Sequence, residues 1–79
     1  MTTSLQGKYA GLSPYARLRA VETLAQQAGL KVPVLRAGLC ERDIDVAIVQ
    51  VQLATRLVKK LGLLAAQERL NKAMQWYRA

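Results

Sequence analysis

The sequence predicts an all-α fold: a small bundle of three to four helices, completed by self-association. Three observations carry that expectation. Apolar residues recur at three- and four-residue steps in three separate segments. Each segment begins or ends on residues suited to a helix terminus. The one stretch rich in β-branched residues has no convincing strand to pair with.

Residues 1–12 carry Thr, Ser, Gln and two glycines without periodicity, and read as a flexible arm ahead of a single helical domain over 13–79. Ser13 is a favourable N-cap. Pro14 suits the first helical position, where its missing N–H would be unpaired in any case. Tyr15, Leu18, Val21, Leu24, Ala25 and Ala28 then form an apolar stripe, with Arg17, Arg19, Glu22, Gln26 and Gln27 off it. Gly29 ends the helix by taking a left-handed conformation cheaply, and Leu30 behind it can pack back on the last turn. Pro33 and Gly38 can open and close a short second helix of about one and a half turns.

Residues 41–61 form the longest element. Glu41, Asp43 and Asp45 stand in its first turns and Lys59 and Lys60 in its last, which complements a helix dipole at both ends. Ile44, Val46, Ile48, Val49 and Val51 favour a strand. The only strand available to pair with them, over 31–35, is interrupted by Pro33, so helix is expected. One stripe holds Ala47, Val51, Ala54, Val58 and Leu61, and a second beside it holds Val46, Leu53 and Leu57. A helix apolar over that much of its circumference is central, covered on two sides by its own chain or by a second copy. Gly62 then breaks or bends the path. Residues 63–77 give a last amphipathic helix with Leu63, Ala66, Leu70, Ala73, Met74 and Tyr77 on one face.

Seventy-nine residues make one domain, and 52% of them are apolar, a high share for so short a chain that again favours at least a dimer. There is no histidine and one cysteine, so neither an internal disulfide nor a zinc site is expected, and no cofactor. Cys40 is expected to be a small buried apolar residue. The ten residues 46–55, free of charged side chains, are about half of what a bilayer-spanning helix needs, and residues 1–8 lack a secretory signal; a cytoplasmic, non-membrane location is expected. Catalysis needs a base, acid or nucleophile beside a partner. Five carboxylates, of which only Glu41 and Asp45 share a helix face, offer little for that, so the chain is not expected to be an enzyme.

The net charge of +7 favours polyanionic partners. Within residues 24–39, Ala25 is a small residue that allows close helix packing, Gly29 follows four later at the turn, and Leu30 and Leu35 flank and follow it. Leu24 and Ala28 supply core contacts of the first helix. This spacing resembles a helix-turn-helix over about twenty residues. The resemblance implies DNA binding: a short second helix in the major groove with Lys31, Val32 and Arg36 outward, and Arg17, Arg19 or Arg42 near phosphates. Gly38 stands where that motif has another apolar residue. The expectation is a dimeric DNA-binding regulator. The alternative is a small helical inhibitor or adaptor that binds an acidic or nucleic-acid-mimicking protein surface through the Trp76 end. The expected protein-interface residues are Val46, Val49, Leu53 and Leu57, in the part of the chain expected to serve core and self-association, with Trp76 and Tyr77, which together with Arg78 are residue types enriched at binding hot spots.

Overall fold

The computed structural model describes residues 11–79. Three helices follow in order: α1 (Pro14–Gln27), α2 (Glu41–Leu61) and α3 (Leu63–Ala73). Helix α2 is central, and α1 and α3 each pack against it. The expected all-α architecture is therefore observed. The arm expected over 1–12 lies outside the described residues except for Gly11 and Leu12.

Local chemistry sets the ends of α1. The Ser13 hydroxyl accepts from the Ala16 N–H at 3.2 Å, and Pro14 occupies the first turn. At the other end the Leu30 N–H donates to Ala25 O and the Gly29 N–H to Gln26 O, both at 3.0 Å, with Gly29 at φ +96°. That pair of bonds is a Schellman motif, and it drives Leu30 into the core, where it is 2% exposed. At the start of α2 the Asp43 carboxylate accepts from the Cys40 N–H (3.4 Å) and thiol (3.2 Å). Cys40 is thus an exposed cap residue rather than the buried one expected. Gly62, at φ +86° and ψ 161°, is the whole connection between α2 and α3, a conformation almost confined to glycine.

The core holds Leu18, Val21 and Ala25 of α1, Leu30, then Ile44, Ala47, Ile48, Val51 and Ala54 of α2, and Ala66 and Leu70 of α3 with Met74 just beyond it. Alanines at 25, 47, 54 and 66 let the helices approach closely around the larger Ile48, Leu70 and Met74. Tyr15 and Leu24, expected on the inner stripe of α1, are 51% and 48% exposed. At 100° per residue they sit at the edges of that stripe.

The short helix expected between Pro33 and Gly38 does not form. Residues 30–36 form no helix, and Leu35 makes an isolated bridge. Pro33 disfavours helical geometry at Val32, while Val32 and Leu35 pack on the core. The backbone is held in that path from both sides. The Gln67 amide accepts from the Lys31 N–H (2.7 Å) and donates to the Lys31 carbonyl (2.9 Å). The Arg36 N–H donates to Tyr77 O and the Ala79 N–H to Val34 O, both at 2.8 Å, pairing Leu35 with Arg78 as a single antiparallel bridge. The same pairing explains why α3 ends at Ala73 instead of running to residue 77: the chain must turn through Met74 and extend to reach Val34.

Candidate functional site

At 100° per residue, Arg42, Val46, Val49, Leu53, Arg56 and Lys60 fall on the side of α2 away from Ala47, Ile48 and Val51. All six are exposed. Val46, Val49 and Leu53 form an aliphatic line there, 37%, 52% and 44% exposed. Leu57 lies at the edge of the line and is partly buried against the core. Beside it a shallow groove of about 150 Å³ opens between α2 and α3, lined by Gln50, Leu53, Ala54, Leu57, Arg69 and Ala73 over Leu70. The groove exists because Ala54 and Ala73 stop short where larger side chains would fill it. The expected contacts Val46, Val49, Leu53 and Leu57 are thus brought onto one continuous face.

Charge is divided unevenly along the chain. Residues 11–55 hold five Lys or Arg and four Asp or Glu, whereas from Arg56 onward there are six Lys or Arg against the single Glu68. Part of the charge in the near-neutral stretch serves the fold. Arg17 Nη2 lies 2.9 Å from Asp45 Oδ1 and 3.8 Å from Glu41 Oε1, tying α1 to α2, and its Nε is buried with no partner among the described residues. Arg17 is therefore not the outward phosphate contact expected of it. Arg19 is exposed beside Glu22, whose carboxyl is raised above its ordinary pKa by burial, with the Arg19 charge opposing the rise. Arg42 is exposed at the N-terminal end of the aliphatic line.

The expected DNA-reading residues do not converge on a helix. Lys31 has an exposed side chain but a clamped backbone. Val32, expected outward, packs on the core. Arg36 is half-buried: its guanidinium stacks 4.2 Å from the Trp76 ring centroid and its Nε donates to the Trp76 carbonyl at 3.0 Å. Trp76 also meets Tyr77 edge-on, centroids 4.9 Å apart at 87°, and stays 59% exposed, while Tyr77 packs on the core as its place in the apolar stripe implied. Trp76 and Tyr77 lie beyond the end of α3, so of the six expected protein contacts Val46, Val49, Leu53 and Leu57 alone share one helix.

A further apolar exposure surrounds the Gly62 joint, where Leu63 and Leu64 are 44% and 75% exposed next to Gly29, Lys31 and Gln67. Gln67 carried no periodic signal. Its side chain matters because α3 passes the turn after α1, a tertiary fact. Among the described residues no group of three or more acidic or cysteine side chains is placed to hold a metal ion, and no helix is long and apolar enough to cross a membrane. No protein-family model, curated protein or solved structure matches this chain.

Proposed function

We propose that the chain is a non-catalytic helical interaction module that docks on a partner protein through the outward face of α2. One observation carries this reading: Val46, Val49 and Leu53 stand exposed in line on the side of α2 that faces away from its own core. Covering the exposed parts of these three side chains would contribute on the order of 2–4 kcal/mol to an association. Arg42, Arg56 and Lys60 around the line give it a polar, charged rim.

A DNA-reading regulator is less well supported by the geometry. Major-groove readout needs a helix with outward polar side chains. The segment after Gly29 is not helical, Arg36 is engaged by Trp76, and Arg17 by Asp45. Self-association was expected because α2 has more apolar surface than one chain can cover. That surplus is present, but its basic rim favours a different, acidic partner over a second copy.

A photo-crosslinking residue at Val49, compared with one at the exposed Asn71 on α3, tests the proposal in extract of the source cells. The Val49 probe is expected to give one discrete adduct, lost on Leu53→Asp, with the Asn71 probe giving none. Adducts that are equal at both positions, or a duplex-DNA gel shift that survives Leu53→Asp while no adduct forms, would overturn it.

A further inference from the structure

Resting on that reading, we infer that the occupant of the α2 face is an amphipathic helix with acidic residues at both ends of its apolar stripe. The ends of the face give the charge. Arg42 precedes the aliphatic line, and Arg56 and Lys60 follow it, all exposed, while the neighbouring Asp45 is drawn toward α1 by Arg17. A partner that covers Val46, Val49 and Leu53 must therefore bring its own flanks within reach of cations at both ends. Basic or neutral flanks would leave those cations facing like charge or partly desolvated without partners.

The same positions argue against a second copy of the chain. An antiparallel pairing of two α2 faces sets Arg42 opposite Lys60 twice, and a parallel pairing sets each cation opposite itself. At 100° per residue Glu41 falls about 100° and Asp45 about 60° off the line, and Arg17 draws both toward α1.

The shape gives the conformation. From Arg42 to Lys60 the face is about 27 Å long, matched by a helix of about five turns. It is a helix ridge beside a groove, which receives the ridge of another helix, and its backbone groups are used within α2 and offer no edge to an added strand. The recess between α2 and α3, about 150 Å³ and floored by Ala54 and Leu70, accepts roughly one large aliphatic or aromatic side chain, since an apolar cavity of about that volume holds a benzene ring. Arg69 on its far wall adds a third cation to the C-terminal end of the site.

The test uses the full chain, 15N-labelled, with two synthetic 18-residue helices that share one leucine stripe at i, i+3, i+7 and i+11. One carries Glu on its flanks and the other Lys. The Glu peptide is expected to bind at least tenfold more tightly, to weaken as salt rises, and to perturb amide signals over 46–57 and 69–73. Arg56→Glu with Lys60→Glu should reverse the preference; both positions are exposed, and an amide spectrum that matches the parent's away from the two sites confirms that the variant keeps the α2 face. Equal binding of the two peptides at the α2 face would leave a docking surface but overturn the acidic partner. Absence of perturbation on α2 by either peptide, together with no adduct from the Val49 probe, would remove both readings. A concentration-dependent dimer of the parent chain that Leu53→Asp turns into a monomer would overturn the inference in favour of a second copy, and binding of a 20-base-pair duplex across the same amides in preference to the Glu peptide would overturn it in favour of nucleic acid.

Discussion

Replacing Gly29 by alanine tests the joint on which both the fold and the course of the following segment depend. At φ +96° an L-residue is strained, by about 1–2 kcal/mol for the left-handed region. Alanine also narrows the unfolded ensemble, which offsets about 0.4–1 kcal/mol. The new Cβ would stand 3.0 Å from Leu63 Cδ2 and 3.4 Å from Cδ1. Leu63 is 44% exposed and can turn away, at the expense of an off-rotamer side chain of about 0.5–1.5 kcal/mol. The expected net destabilisation is about 1–2 kcal/mol, seen in urea as a lower midpoint with an unchanged slope, or as a melting temperature lower by roughly 4–8 °C per kcal/mol. Gly38→Ala is the control, because Gly38 is at φ +85° with nothing within 4 Å of the added Cβ. Its loss should be the smaller of the two. A Gly29→Ala variant that melts with the parent would refute the left-handed cap, and one that matches Gly38→Ala would refute the contact with Leu63.

Three further outcomes follow from named contacts. Gln67→Ala removes two hydrogen bonds to Lys31 and one to Asn71, and should cost about 1–2 kcal/mol and speed hydrogen exchange at the Lys31 amide; unchanged exchange there would show that the segment does not need the clamp. Arg36→Ala takes away the stack on Trp76 and the bond to its carbonyl, so Trp76 fluorescence should shift while the α1–α2–α3 core still melts cooperatively. Burial raises the Glu22 pKa above its unfolded value, so the folded state binds the extra proton and this group's contribution falls as pH rises from the unfolded pKa through the folded one. The stability difference between Glu22→Gln and the parent should accordingly grow in favour of the variant over that interval, and a difference flat from pH 4 to 7 would contradict it.

The parts of the fold written in local chemistry were legible. Ser13-Pro14, Gly29 with Leu30, and the acid-to-base run of residues 41–61 mark helix ends through interactions within a few residues, and each end lies where they put it. What was not legible depends on pairs far apart in the chain. Pro33 and Gly38 are compatible with a short helix taken alone. Backbone bonds from Val34 and Arg36 to Tyr77 and Ala79, more than forty residues on, and from Lys31 to Gln67 decide for a non-helical path. With that path the likeness to a helix-turn-helix loses its second helix, although the first helix and its glycine turn are as expected.

The candidate site shows the same division. Two apolar stripes on α2 were visible in the sequence, but which of them is covered depends on where α1 and α3 dock, and the alanine-bearing stripe wins because it permits close approach. Net charge was equally visible and equally ambiguous until placed. Duplex DNA presents a charge about every 1.7 Å along its axis, so a surface that tracks it gains from an unbroken row of cations. The exposed line of α2 instead has cations at its two ends and three aliphatic side chains between them, over about 27 Å. Phosphates have nothing to offer Val46, Val49 and Leu53, whereas a protein helix with an apolar centre and acidic ends satisfies the whole line at once. The arrangement of the charge, rather than its amount, therefore turns the reading of a basic chain from nucleic acid toward protein.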